Sequence, residues 1–186
     1  MPHEAVAPPG VRELVADTTA NDKHFSGIQQ YAVDLKGRVP TLPEHRELLQ
    51  GDLVCTLGWR PCILITTVER FASIEARLLE QTDLLDPTLH DLVRQFIGHK
   101  TIVRLDKQSR ITLPRIHRRR TSISIEEDEN QVLMIGMGDW IECWSRKVYD
   151  EFSDTQWLTP ALTDQARLHG FITPAAPVAD TEAEAE

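Results

Sequence analysis

An aspartate followed four residues later by an arginine occurs twice in this chain, as Asp34-Leu35-Lys36-Gly37-Arg38 and as Asp106-Lys107-Gln108-Ser109-Arg110. The carboxylate at that spacing can accept amides of the intervening turn and hold the arginine as an ion pair, fixing the turn. Charge is concentrated around the second copy. Lys100, Arg104, Lys107, Arg110, Arg115, Arg118, Arg119 and Arg120 lie within residues 100–120 against the single acid Asp106. That stretch is +7 in a 186-residue chain of net charge −9, which leaves −16 for the rest. The net sign argues against a globally basic nucleic-acid binder, but a field polarised in this way can still steer a polyanion. The alternative is a solvated basic face.

Other chemistry finds little support. Cys55, Cys62 and Cys143 have no Cys-x-x-Cys spacing and sit in apolar runs, so they read as buried thiols rather than zinc ligands. His99 and His117 flank the basic stretch and suit loop or phosphate contacts better than a metal. Trp59, Trp140 and Trp144 lie in or beside apolar segments and suit core or subunit contacts better than base stacking. There is no Gly-rich phosphate loop, nucleophile elbow or His-Glu zinc helix. No enzyme, metal, cofactor or small-molecule substrate is expected.

The elements that must position these residues follow from an internal repeat. At an offset of 72, Val33 matches Leu105, Asp34 matches Asp106, Arg38 matches Arg110, Val39 matches Ile111, His45 matches His117 and Arg46 matches Arg118. Alternation at Tyr31 and Val33, and at Val103 and Leu105, predicts half-buried strands leading into each turn. Thr41-Leu42-Pro43-Glu44 predicts a capping box opening a short helix. Its counterpart Thr112-Leu113-Pro114-Arg115 puts a cation in the first turn, against the helix dipole, at a cost of roughly 0.3–1 kcal/mol. A local rule broken in this way marks a candidate functional surface.

Apolar strand pairs come next. Leu53–Leu57 precedes Cys62–Ile65, and Val132–Ile135 precedes the strand from Trp140 to Trp144. Helices are predicted from Thr66-Thr67-Val68-Glu69, from Asp86-Pro87 to a stop at Gly98, and from Ser145. The chain therefore reads as a β-rich mixed α/β unit with short helices, built twice. Residues 1–24 form a flexible extension, 25–81 a first repeat, 82–98 a linking helix, 99–153 a second repeat, and 154–186 an extension with an acidic, disordered tail. Hydrophobic residues at 41% and charged residues at 26% fit an ordinary folded protein. No apolar run is long enough for a membrane helix, the N-terminus lacks a signal-peptide pattern, and the odd cysteine count fits a reducing compartment. A cytoplasmic protein is expected.

The paired motifs, with Gly136-Met137-Gly138-Asp139-Trp140-Ile141-Glu142-Cys143-Trp144-Ser145, resemble the MraZ family of bacterial transcription regulators, within the AbrB/MazE/SpoVT swapped-hairpin superfamily. The similarity covers about residues 25–153. It differs in having Ser109 for a glycine, Pro43 displaced by one position, and a polar stretch from Thr121 to Asn130 with Glu126-Glu127-Asp128-Glu129. The resemblance implies tandem AbrB/MraZ-like units in a double-split β-barrel, ring-like homo-oligomers, and association with the nucleoid. It implies binding to double-stranded DNA at direct repeats in the promoter of the division and cell-wall gene cluster.

Carried onto this sequence, DNA contact falls to the Asp-x-x-x-Arg loops, hence to Lys36, Arg38, Lys107, Gln108 and Arg110. The basic stretch adds Arg104, Arg115 and Arg118. Arginine can take a guanine edge through two hydrogen bonds and lysine can meet a phosphate. Asp34 and Asp106 read as structural carboxylates that orient the arginines. The second reading is a ring-forming scaffold that acts through protein partners.

Overall fold

The computed structural model describes residues 24–81 and 86–156, with isolated positions between 159 and 169. The expectations for the N-terminal extension through residue 23 and for the acidic tail lie outside the described residues. The chain divides into two compact units between Val148 and Tyr149. All eight strands of the described residues belong to the first.

In chain order these are β1 (Ile28–Ala32), β2 (Arg38–Pro40), β3 (Asp52–Leu57), β4 (Cys62–Thr67), β5 (Thr101–Arg104), β6 (Arg110–Thr112), β7 (Gln131–Gly136) and β8 (Ile141–Ser145). The helices are α1 (Val68–Gln81), α2 (Pro87–Phe96), α3 (Arg115–Arg120) and α4 (Arg146–Gln156). Six strands form one antiparallel sheet in the order β1-β7-β8-β4-β3-β5, and β2 pairs only with β6 as a separate ribbon. The described strands do not close into a barrel, in contrast to the double-split barrel expected from sequence. With three residues each and one another as partners, β2 and β6 leave the outer edges of β1 and β5 uncovered.

The sheet buries both faces. On one side Leu53, Cys55, Ile63, Ile65, Val132, Met134, Ile141 and Cys143 alternate along four strands, and the ribbon residues Val39 and Ile111 close over them. Each such aliphatic side chain contributes about 1.5–3 kcal/mol on leaving water. On the other side α1 lies against β3 and β4, and α2 against β3. The three cysteines are free thiols buried in these layers. Burial alone raises Cys55 to about 12.

Helix starts follow local chemistry. Asp86 caps α2 by accepting from the Thr88 and Leu89 amides, with Pro87 in the first turn. One expectation is corrected. Thr41 does not cap a helix: Pro43–His45 is a single 3₁₀ turn without a side-chain cap. The Thr41 hydroxyl instead donates to the Ser109 carbonyl at 3.1 Å, because the second loop lies within its reach.

Candidate nucleic-acid interface

Each Asp-x-x-x-Arg segment is a closed turn between two strands. In the first, the Asp34 amide bonds the Arg38 carbonyl at 2.9 Å and the Gly37 amide bonds the Asp34 carbonyl at 2.8 Å. Asp34 Oδ1 accepts from the Lys36 and Arg38 amides at 2.9 and 3.0 Å. Asp34 Oδ2 accepts from Arg38 Nε at 2.7 Å and lies 2.6 Å from Nη2. The second repeats this frame. Asp106 Oδ1 accepts from the Gln108 and Arg110 amides at 2.8 and 3.0 Å, and Oδ2 meets Arg110 Nε and Nη2 at 2.9 and 2.7 Å. The Arg38 guanidinium holds the Asp34 carboxyl at about 2, well below its usual range, and Arg110 lowers Asp106 in the same direction.

The two turns are locked to each other. Val39 sits opposite Ile111, Arg38 opposite Thr112 and Pro40 opposite Arg110. The Thr41 amide bonds the Ser109 carbonyl at 3.1 Å, and the Leu113 amide bonds the Gly37 carbonyl at 2.8 Å. The ion pairs also cross. Arg38 Nη1 lies 3.6 Å from Asp106 Oδ2, and Arg110 Nη1 lies 3.7 Å from Asp34 Oδ2. Two carboxylates and two guanidiniums thus form one half-buried, charge-balanced square.

This geometry sorts the residues singled out from sequence. Asp34, Arg38, Asp106 and Arg110 are the square itself. Both arginines spend the Nε–Nη2 edge on their own aspartate and turn Nη1 toward the other loop. Lys36, Lys107 and Gln108 stand exposed at the tips, beside Leu35, which is 82% exposed. Arg118 reaches from α3 to the first loop. Its Nε donates to the Leu113 carbonyl at 3.2 Å, and a Cβ at Gly37 would stand 3.0 Å from that same nitrogen. Arg115, Arg119 and Arg120 are exposed and, with Ile116, line a basic hollow on α3. Arg104 stands apart, on the edge strand β5, in an ion pair with Asp52.

The repeat-matched His45 and His117 turn out to be core residues, so His117 is not the phosphate contact expected from sequence. His45 and His117 are buried; His45 Nε2 accepts from the Ser26 amide at 3.1 Å and His117 Nε2 contacts the His99 carbonyl at 2.8 Å. Both have Nδ1 buried without a hydrogen-bond partner, and burial lowers both from the ordinary histidine range. Their match at the 72-residue offset was the available signal. The crossing of the loops had a signal too, in the equal offset of Val39 and Ile111, but nothing local says that equivalent strands pair with each other. Among the described residues no group of three or more His, Cys, Asp or Glu side chains is placed to hold a metal ion. No helix there is long and apolar enough to cross a membrane.

Comparison with known proteins gives a consistent result. Residues 96–171 match the family model described as "MraZ protein, putative antitoxin-like". The transcriptional regulator MraZ of Methylococcus capsulatus is 33% identical over 141 residues, covering 74% of this chain and 88% of that protein. The transcriptional regulator MraZ of Hydrogenovibrio crunogenus is 29% identical over 131 residues, covering 68% and 82%. That of Coxiella burnetii is 31% identical over 143 residues, covering 74% and 90%. With two of these relatives above 30% identity and each matched over nearly nine-tenths of its length or more, the chain belongs to the MraZ family.

Proposed function

We propose that this protein is a DNA-binding transcriptional regulator that reads short direct repeats in the promoter of a division and cell-wall gene cluster. The observation that carries this reading is the locked pair of loops, each with an exposed tip: Lys36 on the first, Lys107 and Gln108 on the second. Arg118 ties one of those tips to α3, where Arg115 and Arg119 are exposed. Lysines and the α3 arginines take phosphates, which position the protein; the arginines of the square and Gln108 take base edges, which specify sequence. Arg104, already paired with Asp52, adds charge at the periphery. The names of the relatives support the regulatory role, and nucleoid association in the cytoplasm follows from it.

The same reading includes duplication and assembly. The sheet order is unchanged when β1 to β4 are exchanged for β5 to β8, which supports two copies of one unit, over 25–81 and 99–153. The open edges of β1 and β5 carry Ile28 and Ile102, 54% and 50% exposed. Unpaired edges with apolar side chains favour association, here into a ring of identical subunits that presents several loop pairs to repeated DNA.

A mobility shift with DNA from upstream of the protein's own gene, alongside scrambled DNA, tests the reading. Affinity should favour the first and fall with salt, with a slope of about −0.9 per neutralised phosphate. Charge reversal of Lys36, Lys107, Arg115 and Arg119 should flatten that slope. A second reading has its own observation: Asn130 Nδ2 bonds the Val33 carbonyl at 3.0 Å, which brings the end of the acidic stretch Glu126–Glu129 to the base of the first loop. On that reading the protein is a ring scaffold for protein partners, and it binds both DNAs weakly and without preference for the first.

A further inference from the structure

A second polar site lies between the β3–β4 turn and the last turns of α2 and α3. It is a cleft of about 540 Å³, and its charged lining is Arg60, Arg94 and Arg120 against the single carboxylate of Asp91, which Arg94 engages. Its volume falls within the roughly 300–1,000 Å³ of small-molecule sites, far more than one phosphate occupies. His99 and Trp59 complete the functional lining.

The walls are tied in place. The Gly58 amide bonds the Cys62 carbonyl at 2.9 Å, and a Cβ at Gly58 would stand only 2.5 Å from Cys62 Sγ, so the turn is as close to β4 as it can be. The Gln95 side-chain amide donates to the Gly58 carbonyl and the Thr56 hydroxyl to the Phe96 carbonyl, which fixes the end of α2 to the turn. His99 Nδ1 contacts the Arg94 carbonyl at 3.1 Å, and the His99 carbonyl meets His117 of α3 at 2.8 Å. Trp59 packs on Phe96 at 5.1 Å and edge-on to Trp140 at 5.6 Å, yet stays 55% exposed. A guanidinium-rich cleft with a braced indole at its rim recognises two things at once: clustered phosphate charge and a planar ring.

We propose that this cleft binds a nucleoside polyphosphate, with Arg60, Arg94 and Arg120 on the phosphates and Trp59 against the base. The ligand is proposed as an effector, bound for its phosphates and its base. Arg120 also lines the basic hollow of α3, so a phosphate held there draws on the same charge that faces outward from that helix.

Titration calorimetry of the full chain without DNA, using ATP and inorganic tripolyphosphate as probes, decides the matter separately from any DNA reading. ATP should bind, and bind more tightly than tripolyphosphate. Arg60→Ala and Arg120→Ala should each weaken both probes roughly tenfold, the loss of one charge-assisted contact. Trp59→Ala should weaken ATP and leave tripolyphosphate unchanged. Melting curves of the three variants matching the parent exclude misfolding as the cause. No heat from ATP at millimolar concentration, equal affinity for the two probes, or indifference to the arginine substitutions would overturn the proposal.

Discussion

The two Asp-x-x-x-Arg loops have corresponding hydrogen bonds that agree within 0.2 Å, and almost everything around that frame differs. The first turns through Gly37 at φ 76°, the second through Ser109 at φ 57°. The first runs into a single 3₁₀ turn that begins Pro43-Glu44; the second runs into α3, which has no acid and four arginines. The frame is thus fixed by one carboxylate receiving two amides and a guanidinium, and it tolerates any side chain that leaves those bonds alone. Side chains can then be varied at the tips and in the element that follows.

The largest effect should come from removing what holds the loops together. Val39 and Ile111 are fully buried opposite each other. Ile111→Ala should cost about 2–5 kcal/mol as a buried large-to-small change, with Val39→Ala costing less because fewer atoms are lost. Chemical denaturation midpoints of the two variants measure this; equal, small losses would mean the ribbon is not part of the cooperative core.

Next in size is Arg→Lys at positions 38 and 110, which keeps charge and loses the fork. If these arginines read bases, cognate affinity should fall by about 1–3 kcal/mol per contact while scrambled DNA is hardly affected. The square in the structure offers the competing outcome, a lowered melting temperature with both affinities reduced together. Measuring all three quantities on each single variant separates the cases.

The turn residues should differ by sign. Gly37→Ala places a side chain in the left-handed region and against the Arg118 guanidinium, so it should destabilise by about 1–2 kcal/mol. Ser109→Gly relieves the same backbone penalty and should stabilise by about 1 kcal/mol or less. Thermal melts suffice, and a loss of stability in Ser109→Gly would show that the serine side chain earns its place by a contact.

Acid should separate the square from the two buried histidines. His45 and His117 titrate below their ordinary value near 6.5 when folded, so the unfolded chain binds more protons as pH falls. Their contribution is present above about pH 6.5 and is lost on going lower. Asp34, at about 2 when folded, contributes above its unfolded value and loses that contribution between about pH 4 and 2. Stability against pH should therefore decline in two stages, and His45→Gln with His117→Gln should remove the first alone.

The residues that organise themselves locally were readable from sequence. Asp86-Pro87 fixes the start of α2, and the runs Leu53–Leu57 and Val132–Ile135 could hardly be anything but buried strands. Asp34 and Asp106 each bond the amides two and four residues on, which is why their turns were legible. What stayed hidden depends on which distant segment arrives alongside. Thr41 has every local reason to cap a helix and bonds Ser109 instead, and Arg118, read as one of several surface cations, is seated against Gly37. The open edges of β1 and β5 were hidden for the same reason, since closure is decided between strands.

Strand β1 pairs with β7, and β5 pairs with β3, so each half of the sequence completes its sheet with a strand from the other. Ile28 meets Ile135 and Asp52 meets Arg104. Neither segment released by proteolysis between α1 and α2 would hold a full set of partners, while the two together could reassemble. Closing such long stretches of chain should slow folding for a protein of this size, and the shared sheet should make the two halves melt together in calorimetry.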